Sequence, residues 1–477
     1  MQKVQNGTNG TVMTSMNNMK RSAQRIFWLI TLMFFLILAF MAKLAFIDRQ
    51  EISSSSYNPR LNYADSSIKR GNIRDSNGDI LVESTENGNR TYNRSRMAAH
   101  ITGYSSKGKT GVEAAENFEL QTPHNEVLQR ISSIFTGKAI QGNDVVLTVD
   151  MDIQSVAGDI LGNKKGAVVV IEPSTGRILA LQAYPDFDPN TVAENWETLK
   201  NDEKSPLVNR ATQGLYPPGS TFKVITALTA LEYYSDWQEL TYECTGEAVF
   251  ENKVIHCYNN KEHGTVDMKK AIATSCNCYF AELAKRVGAE NIRKKAEDFY
   301  FNKEYHFLLA HNISQVALQK KSEENEIVET AIGQGKTLAT PLHMAMIASA
   351  IANDGIMMKP YIVDHIQYYN GDISKTTVPE KLEQVISIEE ANTITDMMIS
   401  CVSEGTGTAA QIYGVEVAGK TGTAENATGS DHSWFIGFAP AENPKVAIAV
   451  MIENANQGGS ATPIAGKVLQ AALQKYQ

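Results

Sequence analysis

The chain has 477 residues, of which 43% are hydrophobic and 20% charged, with a formal net charge of −9. It is too long for one ordinary domain, and its composition is that of a globular protein with a sizeable core, not of a disordered or fibrous one. The acidic balance argues against nucleic acid as a partner, and five cysteines are too few for a disulfide scaffold.

The first 25 residues carry Lys3, Lys20, Arg21 and Arg25 and no acid. Ile26 to Ala42 is uncharged, and after Lys43 the apolar run resumes through Leu44-Ala-Phe-Ile47. Such a run can cross about 30 Å of hydrocarbon as a helix, with the Lys43 ammonium reaching back to the interface. It is longer than the apolar part of a cleaved signal peptide, and no small-x-small site clearly follows it. The basic flank holds the amino end in the cytoplasm. The expectation is an uncleaved single-pass anchor over 26–47, a cytoplasmic tail over 1–25, and everything later on the far side of the membrane.

Residues 48–60 are Ser-rich and read as a tether. From about Ser67 to Gly142 short strand-like pieces alternate with turns, as in Arg70–Leu81, where Ser76-Asn77-Gly78 marks a turn between two strands. Gly103-Tyr-Ser-Ser-Lys-Gly-Lys-Thr110 satisfies the P-loop pattern, after a strand-like Ala99–Thr102 and before a helical stretch at 111–120. A true P-loop would cradle phosphates on its amides. This one lies outside the expected membrane in a module small for a nucleotide-binding sheet, and reads as a coincidental match.

A second module opens at about Asp144. Val145–Val149 reads as a strand, and Met151–Gly162 as a helix capped by Asp150. Gly166–Glu172 and Gly176–Leu181 are apolar runs joined by Pro173-Ser-Thr-Gly176, the pattern of an antiparallel hairpin. Helical patterns dominate from Lys223 to about residue 360. Strand patterns return at Gly414–Ala418, Trp434–Phe438 and Val446–Ile452, before a closing helix from Ala461. Strands at both ends with helices between them point to an α+β domain whose sheet takes in both ends of the module.

Cys276 and Cys278 are two apart and would not face each other on a helix, so the cysteine spacing does not suggest metal. Cys244 and Cys257 flank the hairpin-like Glu247–Val254 and are the pair placed to bridge in an oxidising compartment. Cys401 reads as a small core residue. Neither a metal nor a cofactor is expected.

Three motifs follow in order: Ser220-Thr-Phe-Lys223, Ser275-Cys-Asn277 and Lys420-Thr-Gly422. Copies of each fragment occur before residue 112, such as Ser66-Ser-Ile-Lys69, Ser56-Tyr-Asn58 and Lys109-Thr-Gly111, but in polar or Ser-rich surroundings. Only the later three sit where helix and strand patterns would hold them. Tyr216-Pro-Pro-Gly219 breaks regular structure, and Thr221–Tyr233 then reads as a buried helix, which puts Ser220 at its positive end. Lys223 lies one turn on, within reach of the Ser220 hydroxyl, and a buried lysine loses proton affinity and can act as a base. Ser275 and Asn277 sit at a break between two helical patterns, where Ser275 would relay a proton to a leaving amine and Asn277 would bind a substrate amide. Lys420-Thr-Gly-Thr423 follows the strand-like Val415–Gly419, an edge suited to pairing with an extended peptide. Gly422 would leave room for that approach. Lys420, Thr421 and Thr423 would receive a terminal carboxylate, and the N–H groups of Ser220 and Thr423 are candidates for an oxyanion hole. Read singly, each motif is as well explained by a helix cap or an exposed strand end.

The trio resembles that of penicillin-binding proteins and class A β-lactamases, and residues 144–477 resemble the transpeptidase domain of a class B penicillin-binding protein. Asn209-Arg-Ala-Thr-Gln-Gly-Leu-Tyr-Pro-Pro-Gly-Ser220, Ala331-Ile-Gly-Gln-Gly335, Thr340-Pro-Leu-His-Met-Ala345 and Trp434-Phe-Ile-Gly-Phe-Ala-Pro440 carry the likeness further. Arg70-Gly-Asn-Ile-Arg-Asp75 and Gly111-Val-Glu-Ala-Ala-Glu116 resemble the family's pedestal, with Ser76 where an arginine is common. The resemblance implies a β-lactamase/transpeptidase-like α+β fold, an antiparallel sheet flanked by helices plus a helical subdomain, on a pedestal over 48–143. It also implies a bacterial D,D-transpeptidase in which Ser220 attacks stem peptides ending in D-Ala-D-Ala, and which β-lactams acylate. A separate glycan polymerase of the SEDS family is the implied membrane partner, since no glycosyltransferase-sized module precedes the pedestal. The alternatives are a carboxypeptidase or β-lactamase that uses water as acceptor, and a non-catalytic β-lactam sensor or scaffold.

Overall fold

Residues 6–46, 68–137, 139–251, 253–426, 430–455 and 461–476 are described by the computed structural model, and the expected tether at 48–60 lies outside them. The chain divides into two units, Met1–Tyr63 and Ala64–Gln477. In the first, Asn6–Phe46 is one helix, and Lys20–Met41 within it is long and apolar enough to cross a membrane. Its large apolar side chains from Ile26 to Met41 are exposed on all sides, as a lipid-facing helix requires. Thr31 returns its hydroxyl proton to the Phe27 carbonyl at 2.8 Å, so that polar group is satisfied within the helix.

The second unit begins with short strands: β1 (Ile68–Lys69), β2 (Ile73–Arg74), β3 (Ile80–Ser84) and β4 (Arg90–Tyr92), later joined by β5 (Ile140–Gln141) and β6 (Asp144–Leu147). The expected turn after β2 is present. The Asp75 carboxylate accepts the N–H groups of Asn77 at 3.0 Å and Asp79 at 2.8 Å, and Gly78 takes a φ of +87°. Glu113 is fully buried between Arg70 and Arg90, each at 2.7 Å. Burial alone would raise its pKa, but the two guanidiniums hold it below the usual value.

Ala99–Thr102, expected as a strand, belongs instead to the helix Ser95–Thr102. Ala98, Ile101 and Thr102 recur at helical spacing and are buried. The P-loop-like segment after it folds back on itself. A Cβ on Gly103 would stand 2.0 Å from the Thr110 carbonyl oxygen, so that glycine serves a backbone crossing.

The helix Met151–Leu161 is capped by Asp150, which accepts from Asp152 and Ile153. β7 (Gly166–Ile171) and β8 (Ile178–Tyr184) form the expected antiparallel hairpin. The helical stretch expected after Lys223 is interrupted by β9 (Tyr242–Cys244), β10 (Glu247–Phe250), β11 (Lys253–His256) and β12 (Gly264–Val266). β10 pairs with β11 and β9 with β12, both antiparallel. Tyr, Val and Thr in this stretch favour strands, Gly246 at positive φ lies between β9 and β10, and Glu251, also at positive φ, lies in the turn after β10.

Helices then resume at Met268–Thr274, Asn277–Asp298, Glu324–Ala331 and Pro341–Ala352. β13 (Ile356–Met358) pairs with β16 (Lys381–Gln384), while β14 (Val363–Gln367) and β15 (Ile373–Thr376) join the first small sheet in the order β15-β14-β6-β2-β3-β4. β6 is therefore bonded to β2 on one side and β14 on the other, so Asp144 falls inside a sheet and not between two.

β17 (Ala418–Ala424), β18 (His432–Ala439) and β19 (Val446–Ile452) complete a second sheet in the order β17-β18-β19-β7-β8, antiparallel throughout. The expected sheet drawn from both ends of the module is thus present. Alternate residues point to two cores: Val169, Trp434, Ile436 and Ala449 into one, Val168, Phe435, Ile448 and Val450 into the other. The first core holds the helices Lys223–Tyr233 and Pro341–Ala352, and the second holds Met151–Leu161 and Ala461–Leu473. β17 is left at the sheet edge.

Candidate active site

Ser220 lies in a 3₁₀ turn, Gly219–Phe222, that leads directly into the helix Lys223–Tyr233. The turn is wedged between two backbones. Gly219 has a φ of +54°, donates its N–H to the Gly333 carbonyl at 2.9 Å, and would place a Cβ 2.4 Å from the Thr423 oxygen. Only glycine fits there. The approach to the turn is fixed as well: Trp434 Nε1 donates to the Pro217 carbonyl at 2.9 Å. The Tyr216 hydroxyl and the Arg210 guanidinium both donate to Glu453, at 2.8 and 2.7 Å.

The helix Met268–Thr274 ends at Ser275, which is held left-handed at φ +58°, and Cys276 then caps the helix Asn277–Asp298. This is the expected break, and it turns both polar side chains towards Lys223. Lys223 is fully buried and donates to the Ser275 carbonyl at 2.7 Å, the Ser275 hydroxyl at 3.2 Å and Asn277 Oδ1 at 2.5 Å. Lys420, also fully buried, donates to the same Ser275 hydroxyl at 3.0 Å. Two lysines and one hydroxyl from three distant segments therefore meet at one point. Burial, reinforced by the Lys420 charge and opposed by nearby thiols, pushes Lys223 down to about 7. Burial also lowers Lys420.

Ser220, Ser275, Asn277, Thr421, Gly422 and Thr423 all line one cleft of about 1410 Å³, whose opposite wall is the β10–β11 hairpin. Lys223 and Lys420 stand behind this lining. Lys420-Thr-Gly-Thr lies within β17 and not after it, because the strand starts only at Ala418.

Three details add to the expected picture. Among the described residues Ser220 Oγ makes no hydrogen bond, and Lys223 is bound to Ser275 and Asn277 instead. An ammonium has three protons, and those three acceptors take all of them. Asn277 is engaged at both ends, since its Nδ2 also donates to the His256 carbonyl at 2.7 Å; one amide proton remains for a ligand. Gly422 serves packing: a Cβ there would meet Thr221 Cγ2 at 2.9 Å and the Pro218 oxygen at 3.0 Å, so its absence lets β17 close on the Ser220 turn.

Sequence reasoning missed Thr406, whose hydroxyl bonds that of Thr421 at 2.5 Å inside the cleft. It also missed Glu453, which has no local signal. The cysteine spacing argument fails too: Cys244, Cys257, His263 and Cys276 bring their ligand atoms within 4.8 Å of one another.

A serine on a wedged turn, two buried lysines on a shared hydroxyl and a strand edge across the cleft form a recognisable constellation. The sequence matches the penicillin binding protein transpeptidase domain over residues 166–470 and the penicillin binding protein A dimerisation domain over residues 70–145. The chain belongs to the penicillin-binding protein transpeptidase family. It is 33% identical to the peptidoglycan D,D-transpeptidase PbpA of Mycolicibacterium smegmatis, over 96% of this chain and 100% of that one. The D,D-transpeptidase domain of a peptidoglycan glycosyltransferase from Eggerthella lenta is 37% identical, with a TM-score of 0.78 over 85% of this chain and 98% of the other. The penicillin G acyl-enzyme of penicillin-binding protein A from Mycobacterium tuberculosis superposes with a TM-score of 0.77 at 33% identity, over 85% of this chain and 100% of that one. As a penicillin-binding transpeptidase this chain carries the dimerisation-domain match first and the transpeptidase-domain match after it.

Proposed function

We propose that this protein is a peptidoglycan D,D-transpeptidase that works through an acyl-enzyme on Ser220. The meeting of Lys223 and Lys420 on the Ser275 hydroxyl, beside a cleft lined by Ser220, carries the reading. Burial and the Lys420 charge bring the Lys223 pKa down to about 7, which makes its neutral form accessible near neutral pH. The neutral amine has a lone pair free to take the Ser220 proton. Ser220 Oγ bonds to the carbonyl carbon of the penultimate D-Ala, and the oxygen charge that develops falls to the N–H groups of Ser220 and Thr423. Ser275, already bonded to both lysines, relays the proton to the departing D-Ala nitrogen, and the peptide C–N bond breaks. The amine of a neighbouring stem peptide then attacks the ester, returns a proton to Ser220 and takes the acyl group.

The β17 edge pairs with the donor peptide, Asn277 Nδ2 binds its amide, and Lys420 with Thr421 and Thr423 receives its carboxylate. A β-lactam enters the same path, but its leaving amine stays tethered and the ester persists. The modules are read as a cytoplasmic tail over 1–25, an anchor over 26–47, a pedestal over 48–143 and the transpeptidase domain over 144–477. The catalytic part faces outward in a bacterial membrane beside a SEDS-type glycan polymerase. The basic tail and the apolar helix support that orientation.

Transfer and hydrolysis are separated by giving the full chain a donor peptide ending in D-Ala-D-Ala together with a D-amino acid acceptor. The exchanged peptide is expected in excess over the hydrolysed one, with neither formed by Ser220→Ala. Hydrolysis alone would favour the carboxypeptidase reading, and no turnover with intact β-lactam binding would favour the sensor.

A further inference from the structure

The Cys-His cluster behind the Ser-Cys-Asn loop belongs to none of the chemistry above. We propose that Cys244, Cys257, His263 and Cys276 bind one soft divalent cation of the zinc class, which pins the loop carrying Ser275 and Asn277 to the hairpin wall of the cleft.

The geometry is that of a tetrahedral site. An ion with bonds of about 2.3 Å to sulfur and about 2.0 Å to nitrogen separates its ligands by about 3.8 Å for a sulfur pair and about 3.5 Å for sulfur and nitrogen. Cys244 Sγ is 3.6 Å from Cys257 Sγ and 3.5 Å from His263 Nδ1, and Cys257 Sγ is 3.7 Å from Cys276 Sγ. These are tetrahedron edges. All four ligand atoms lie within 4.8 Å of one another, and the three cysteines are buried. Three thiolates and a neutral imidazole are a donor set that favours zinc over harder cations.

The surroundings are built for thiolates. Cys276 caps the 22-residue helix Asn277–Asp298, and its sulfur accepts the Tyr279 N–H at 3.5 Å, at the positive end of the helix. Cys278 stands 3.5 Å from Cys257 Sγ and donates its S–H to the Ile255 carbonyl at 3.7 Å. A disulfide is poorly specified here. Cys257 has three sulfurs at 3.5 to 3.7 Å, and pairing it with any one would leave two thiols and the imidazole unused.

Each ligand sits where the local fold needs a tie. Cys244 ends β9, and His263, just before β12, donates its N–H to the Cys244 carbonyl at 3.1 Å. Cys257 follows β11, next to His256, whose carbonyl holds Asn277. These strands are three or four residues long and form two separate two-stranded sheets, with Val249 and Val254 exposed. Such hairpins are marginal alone, and a metal cross-link contributes folding energy directly. Because Cys276 lies between Ser275 and Asn277, the ion fixes the two residues that hold Lys223. That consequence rests on the acyl-transfer reading, while metal binding itself does not.

The test uses the full chain purified in detergent. Elemental analysis is expected to give one zinc per chain, and exchange with cobalt to give thiolate charge-transfer bands and the strong visible bands of a tetrahedral site. His263→Ala should bind zinc about 10-fold more weakly or worse, and His263→Cys should keep the metal with added thiolate absorption. Cys401→Ser should leave the stoichiometry unchanged. A wild-type chain that takes up neither zinc nor cobalt, or that shows three thiols and not five after chelation and unfolding, overturns the site even if every variant misfolds. Penicillin acylation measured on the same samples is expected to slow on chelation and recover with zinc. Unchanged acylation would overturn the pinning role, and absent acylation in zinc-loaded protein would count against the acyl-transfer reading and not the metal.

Discussion

The two walls of the cleft are built in different ways. The β17 wall is held by backbone: seven residue pairs join it to β18, and glycines at 219 and 422 let it close on the Ser220 turn. The hairpin wall opposite has four short strands and exposed valines, with a sulfur and imidazole cluster at its base. Ser275 and Asn277 lie between the two, tied by the lysines to one wall and by Cys276 and His256 to the other. Changes in the first wall should therefore cost fold stability, and changes at the junction should cost rate.

The largest effect is expected at the junction. Lys223→Met should lower the β-lactam acylation rate constant by about 10⁴-fold, since it removes the base, with thermal stability nearly kept. On β18, paired behind β17, Trp434→Ala should cost about 3–5 kcal/mol in denaturant unfolding, from a fully buried ring and its bond to Pro217. Gly422→Ala should cost about 1–3 kcal/mol, because the added methyl meets Thr221 and Pro218. On the hairpin, Val249→Ser should change stability by less than about 0.5 kcal/mol, since the side chain is 71% exposed.

The junction also has a pH signature. Lys223 acts as a base when neutral, and its pKa is about 7, lowered by burial and by Lys420 and raised by the thiols of Cys276, Cys257 and Cys278. Acylation should rise with pH through a limb near 7 and then level off. Removing the Lys420 charge favours the protonated form of Lys223, so Lys420→Met should move the limb to higher pH. A limb that stays in place would show that the two lysines do not interact.

The parts of this architecture that could be read in advance are those with local rules. The β7–β8 hairpin, the Asp150 cap, the turn at Ser76–Gly78 and the strand Val446–Ile452 each follow from period or turn chemistry within a few residues. The trio could be located because helix and strand patterns surround it. Contacts assembled from distant segments left no such trace. β6 reads as the first strand of the second module, yet it bonds to β2 and β14, and nothing in Val145–Val149 selects those partners. The cysteines look unsuited to metal when judged along one helix, but Cys244 and Cys257 come from strand ends and Cys276 from a helix cap, and His263 joins them from a loop. Ala99–Thr102 is apolar enough for a strand, and only its packing makes it a helix. Lys223 was expected beside Ser220 by spacing alone. What spacing does not show is the left-handed backbone at Ser275, which brings that residue's carbonyl and hydroxyl to the ammonium.

The central claim is that the hydroxyl of Ser220 is the atom acylated, and mass spectrometry of the full chain after brief exposure to penicillin tests it most directly. One adduct per chain, mapped to the peptide containing Ser220 and absent from Ser220→Ala, is the predicted result. An adduct on another residue, or equal labelling of Ser220→Ala, would contradict it.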